Sequence, residues 1–288
     1  GGTLLGTVDP FNSGGRIQVV RPVDWRQIDQ TLNFEVPFGW LTGDLRLEVT
    51  VNHDGSVAET NAANNSRSIN AHFVDGGDLR IAWLPIKYTA GGYSGPPLPG
   101  SRIVKGDAWL KATWPISHVR VKYIPWPGIT WGGNVNTGTG AIKLLNYLNR
   151  LLQLSQTQPR PDHVYGWLPT SVYLGNGLAW LPGKTAFGND TDGRWRRTMT
   201  HELGHNRNIG HWDATIRQHG FDVAAREVKI DTKLDFMVPG RLESEAWIAP
   251  ELYTYLHEHM STALDQAGSP AEAVAAEYLL VSGLINQD

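Results

Sequence analysis

His201-Glu202-Leu203-Gly204-His205-Asn206-Arg207-Asn208-Ile209-Gly210-His211 is the stretch on which the reading of this chain turns. His201 and His205 are four residues apart, so on a helix their imidazoles share one face and can reach a single ion. A third histidine, His211, completes a nitrogen set suited to zinc at about 2.0–2.1 Å, leaving the fourth tetrahedral position for water, as catalytic rather than structural sites do. Glu202 lies about 100° round the helix from His201, badly placed to ligate and well placed to act on that water as a general base. A straight helix would carry His211 away from the pair, so the chain must turn after His205.

The segment resembles the metzincin signature H-E-x-x-H-x-x-G-x-x-H, and a second mark of that family follows at Asp235-Phe236-Met237-Val238-Pro239-Gly240. The resemblance implies a zinc metalloendopeptidase, with Zn2+ as its one catalytic ion. It also implies an α/β catalytic domain with a mixed sheet and an active-site helix, and Met237 in a turn beneath the ligands, where it packs and does no chemistry. Where the family has a glycine of positive φ this chain has Asn208, the next most tolerant residue for that conformation, with Gly210 close by. Some members carry a Tyr two residues after the methionine; Pro239 stands there here. The oxyanion stabiliser beyond the metal is therefore unassigned, with Tyr253 and Tyr255 as remote candidates.

Leu178-Ala179-Trp180-Leu181 occupies the place of the family's edge strand, so Ala179, Trp180 and Leu181 are candidates for main-chain pairing with an extended peptide. An ordinary strand with an exposed tryptophan fits the same residues. Asp213 reads either as an acceptor that orients an imidazole or as a plain turn residue. His219, Asp222, His257 and His259 lack a partner at ligand spacing and read as solvated.

The 288 residues suffice for two domains, with a net charge of −3 and no cysteine. That excludes disulfides, a thiol nucleophile and cysteine-based latency. No basic block points to nucleic acid, and no apolar run approaches the roughly 18 residues of a membrane span. Twelve Trp, 32 Gly and only 18% charged residues suit a bacterial extracellular or cell-surface protein, and a Gly-Gly start without initiator Met reads as a piece of a longer precursor. The expected partner is a protein or peptide substrate, glycoproteins included, and the expected state a monomer.

The sequence predicts an α+β chain in three parts. Residues 1–77 read as an antiparallel β-sandwich, from the alternating runs Arg16-Ile17-Gln18-Val19-Val20 and Leu45-Arg46-Leu47-Glu48-Val49-Thr50-Val51 between turn signals. Within it, Val57-Ala58-Glu59-Thr60-Asn61-Ala62-Ala63-Asn64-Asn65-Ser66 resembles the E-x-N-x-x-N-N pattern of bacterial Ig-like domains related to cell adhesion; the same asparagines would also serve a tight turn. Residues 78–270 read as the catalytic domain that the resemblance implies. Strands are expected at 79–86, 119–124, 164–167 and 171–174, helices at 107–113, 141–154 and 250–260, and an apolar stripe along the second helix faces a sheet. Asp190 or Asp192 is read as capping the zinc helix; the run Asp190-Thr191-Asp192-Gly193 also faintly resembles a Ca2+ loop, without the later bidentate Glu. Residues 271–288 read as a tail, the first strand of a further β module. A competing function is a surface adhesion or glycan-binding protein whose metal site is vestigial.

Overall fold

Strand β4 (Leu79–Tyr88) shows how the core is organised, because its side chains alternate between two buried clusters. Leu79, Ile81 and Trp83 join one cluster, whereas Ala82, Leu84 and Ile86 join the other. A strand covered on both faces reads as a near-continuous apolar run, which is what this segment is.

The computed structural model describes residues 2–15, 17, 20, 22–24, 26–74, 76–264 and 278–283. They fall into two compact units, one of Gly1–Asp75, Arg226–Val228 and Ala271–Asp288, the other of Gly76–Ala225 and Lys229–Pro270. Among the described residues no helix is long and apolar enough to cross a membrane.

In the first unit, β1 is Leu32–Pro37, β2 Gly43–Thr50 and β3 Ser66–Phe73. β2 and β3 form one antiparallel ladder, from Gly43 opposite Phe73 to Thr50 opposite Ser66. The loop joining them contains the asparagine motif, whose polar atoms bond to one another: Glu59 accepts from the amides of Asn52 and Asn65, and Asn61 accepts from the backbone of Ala63 at 3.0 Å. The motif thus closes its own turn. Of the expected strand at 16–20, residues 16, 18 and 19 lie outside the described residues.

The second unit is built on a mixed sheet of β4 with β5 (Val121–Pro125), β6 (Ile129–Trp131), β7 (His163–Leu168), β8 (Gly177–Ala179) and β9 (Thr185–Asn189). Its order is β5-β4-β7-β9-β8, with β6 also on β4; all pairs are parallel except β8 with β9, which makes β8 an antiparallel edge. Helix α1 is Ala108–Thr113, and α2, Gly138–Leu154, starts at Thr137, whose hydroxyl accepts from Gly140 N at 3.1 Å. The predicted stripe of α2, including Leu144, Leu145, Leu148 and Leu152, is buried on one face of the sheet. Each such leucine contributes roughly 1.5–3 kcal/mol. Helix α3 is Trp195–Asn206; it packs with α1 in the cluster on the other face. Residues 171–174 form turns, not the expected strand: Ser171 has φ +61°, and the amides of Tyr173 and Leu174 are taken by the Asn189 and Asn136 side chains.

After α3 come β10 (Gly220–Asp222), β11 (Glu227–Lys229), β12 (Leu234–Asp235), β13 (Ala246–Trp247) and α4 (Pro250–Leu264). The last strand, β14 (Tyr278–Gly283), pairs antiparallel with β1. The tail expected to open a further module therefore contributes to the first unit instead, while its residues 271–277 and 284–288 lie outside the described set. That unit carries two separate antiparallel pairs among its described residues, β2–β3 and β1–β14.

Candidate metal centre

Helix α3 supplies His201, Glu202 and His205, and its end determines whether a third group can join them. The helix stops because Asn208 adopts φ +66°, a left-handed turn closed by Ile209 N donating to Gly204 O at 3.1 Å. The reversal returns His211 to the helix. Its ring centroid lies 5.3 Å from that of His201 and 4.9 Å from that of His205, and one nitrogen from each of the three lies within 4.8 Å of the others. This is the cluster among the described residues that could hold a metal ion.

Two of the rings are held by carbonyls. His201 Nδ1 donates to Phe236 O at 3.0 Å, and His205 Nδ1 donates to Ile209 O at 2.7 Å. A carbonyl only accepts, so the proton sits on Nδ1 and the Nε2 lone pair remains for an ion. Burial reinforces the neutral form: it pushes His201 down to about 3 and lowers His205 as well. Three imidazoles, one of them exposed, suit a divalent ion with an open position.

Phe236 and Met237 form the floor. Both are fully buried, and Gly204 lets Met237 approach: a Cβ at Gly204 would stand 2.7 Å from its sulfur. Asp235 shapes this turn from within, accepting from Met237 N and Ala249 N, each at 2.7 Å. Burial pushes its carboxyl up to about 6, against those bonds and Arg197. Arg197 on α3 ties the same turn from above, donating to Phe236 O at 2.8 Å, to Val238 O and to Arg241 O at 3.2 Å. Its burial lowers it to about 10.

Glu202 is 5% exposed and, among the described residues, its carboxylate makes no hydrogen bond; it lines a cleft of about 390 Å3 together with the three histidines. Burial pushes it up to about 8, while Arg197 pulls it down. A divalent cation close by acts in the same direction as Arg197. Gly177 of β8 makes room for this carboxylate, because a Cβ there would stand 2.6 Å from Glu202 Oε1.

The other expected residues are placed differently. Ala179 belongs to β8 and borders the cleft; Trp180 and Leu181 lie beyond the strand, and of these two Leu181 also borders the cleft. Trp180 O is taken by the Asn206 amide at 2.9 Å, and its ring packs on the α2 side, which leaves Gly177–Ala179 as the edge. Asp213 is exposed and bonds to none of the three imidazoles, so it orients none of them. Tyr255 donates to Arg207 O at 3.1 Å and stacks on His259, whereas Tyr253 is 46% exposed; neither borders the cleft. Asp222 pairs with Lys229 at 3.6 Å, and His219 accepts from Asp231 N at 3.0 Å.

Neither Asp190 nor Asp192 caps α3. Asp190 accepts from Thr170 Oγ1 at 2.6 Å and Gly100 N at 2.7 Å, and Arg102 pairs with Asp192, so a guanidinium holds the place a calcium ion would need. The helix start is served instead by Glu243, which accepts from Arg196 N at 3.1 Å and from its guanidinium at 2.9 Å. No local signal marks Glu243. Asp235 was findable, because an Asp two residues before a turn amide is the pattern of an Asx turn.

No protein-family model matches the chain, and no curated protein does. Among solved structures it is similar to the archaemetzincin of Methanopyrus kandleri, at 16% identity over 64% of this chain and 96% of that one, with TM-score 0.38. It is similar to metalloproteinase-II of Bacteroides fragilis, at 12% identity over 73% of this chain and 67% of that one, with TM-score 0.41. A third is catalytically inactive OgpA of Akkermansia muciniphila in complex with an O-glycopeptide substrate, at 14% identity over 65% of this chain and 61% of that one, with TM-score 0.38. This chain spans 44% of the length of a further similar chain, from a chaperone–substrate complex.

Proposed function

We propose that this protein is a zinc metalloendopeptidase, with the ion held by His201, His205 and His211. The observation that carries the reading is the convergence of three imidazoles and one free, buried carboxylate on a cleft that an open strand edge borders. When bound, the ion supplies a Lewis acid that makes water a nucleophile near neutral pH and polarises a carbonyl. Glu202 takes a proton from the attacking water and delivers it to the departing amine. Its position near neutrality, with no competing hydrogen bond, fits a group that must hold the proton and release it. Strand β8 offers its outer edge to an extended peptide, which it would bind as an added antiparallel or parallel strand. Met237 and Asn208 support the site without touching substrate. The adhesion-like asparagines bond within their own loop, and nothing among the described residues favours a purely adhesive role for the metal site.

We further assign the protein to the bacterial exterior, the first unit to an Ig-like positioning module, and residues 78–270 to the peptidase. The experiment is cleavage of an unfolded protein such as casein by zinc-loaded chain and by Glu202→Ala. The wild type cleaves and a chelator stops it; Glu202→Ala keeps its zinc and loses at least a hundredfold in rate, in the range of a missing general base (about 10²–10⁴). Near-normal turnover by Glu202→Ala sinks the mechanism. His211→Ala loses metal, and unchanged zinc stoichiometry in it shows that the third ligand is elsewhere.

A further inference from the structure

The charged groups around the start of α3 are almost all committed. Arg102 serves Asp190 and Asp192, Arg196 serves Glu243, and Arg197 is spent on three carbonyls of the methionine turn. Glu245 accepts from Leu242 N at 2.8 Å. Two cations are left over: among the described residues, the side chains of Arg194 and Arg241 have no hydrogen-bond or ion-pair partner, and both line the metal cleft. Arg194 is half-buried and Arg241 exposed. Arg194 and Arg241 each lie close enough to Arg197 to disfavour its charge. Glu202 is the one carboxylate lining the cleft.

Neither arginine gains from folding through a partner, since among the described residues no carboxylate pairs with Arg194 or Arg241. The arrangement does help a ligand. A guanidinium presents a planar fork that matches a carboxylate or phosphoryl group. The wall formed by residues 239–241 and Arg194 borders the same cleft as β8, so an extended peptide on that edge has a side chain within reach of it.

We infer that Arg194 and Arg241 form a subsite for an anionic side chain, carboxylate or phosphoryl, of the peptide bound on β8. This rests on the peptidase reading of the cleft. The subsite makes the protein selective for acidic stretches and sets the cut at a fixed distance from the anion.

The test uses the full-length zinc-loaded chain and quenched peptides that differ at one position: Glu, its neutral isostere Gln, phosphoserine or Lys. At one position relative to the cut, kcat/KM for Glu exceeds that for Gln by about tenfold, the scale of one charge-assisted hydrogen bond. The ratio falls to near one in Arg194→Gln/Arg241→Gln, and Arg241→Glu turns the preference towards Lys. A phosphoserine peptide cut faster than the Glu peptide identifies the phosphoryl group as the better ligand of the same subsite. No preference for Glu at any position, or a preference that survives the double substitution, overturns the inference. A second arm measures binding of the labelled Glu and Gln peptides to Glu202→Ala protein by fluorescence anisotropy. Tighter binding of Glu without cleavage by the wild type keeps the subsite and sinks the peptidase; cleavage with equal binding and no Glu preference does the reverse.

Discussion

Gly177 decides where the Glu202 carboxylate can sit, since any side chain on that edge residue would displace Oε1. Gly177→Ala is expected to keep full zinc stoichiometry and to lower kcat about a hundredfold, because displacing a catalytic group by about 1 Å has effects of that size. Metal analysis beside single-turnover rates checks this; equal rates would show that the carboxylate has room elsewhere. Asp235 gives a pH signature. Its carboxyl is raised from 3.8 to about 6 in the folded chain, so between those values the folded state holds a proton that the unfolded state has released. Its contribution to stability is therefore highest at low pH and declines as the pH rises from about 4 to 6, by up to about 3 kcal/mol. Urea midpoints of the wild type relative to Asp235→Asn should fall across that window, and a flat difference would remove the effect. At this scale the grouping of His201, Glu202 and His205 was legible from their spacing on one helix, and that of His211 from the turn that Asn208 allows. Gly177, Arg197 and Arg241 were not, because their roles arise from segments that meet only after folding.

The elements that announced themselves were those with internal periodicity. β4 and α2 carry their partners' positions in their own alternation and stripe. The ends of α3 are another matter. Its C-terminal turn was readable from Asn208, a residue that tolerates φ +66°, but its N-terminal cap comes from Glu243, which no pattern near residue 195 could signal. Asn208→Ala should destabilise the fold by about 1–2 kcal/mol, while Asn208→Gly should be close to neutral. The alanine variant should also release zinc more readily, since the turn delivers His211; competition with a chromogenic chelator measures this, and equal retention in the two variants would argue that His211 is held independently. Glu243→Ala should lower stability by about 1–2 kcal/mol through the lost cap and its charge-assisted bonds, read as a shift in the thermal midpoint.

For the whole molecule, a bound ion stabilises whichever unit holds it. Chelation should lower the thermal midpoint of the unit containing α3, by the equivalent of about 4 kcal/mol if free zinc stood at a thousand times its dissociation constant. The same treatment should leave His211→Ala nearly unchanged; an equal shift in both would place the ion elsewhere. The chain divides into compact units at Asp75/Gly76, and the strand at 278–283 pairs with β1, a long-range ladder that leaves no local mark in the sequence. That ladder has a mechanical consequence. In its register Leu32 faces Gly283 and Pro37 faces Tyr278, so a pull applied at Leu32 and Gly283 acts on the same end of the pair. Tension would peel the rungs apart one after another, starting where it is applied, and would load the intervening 240-odd residues only once the last rung had opened.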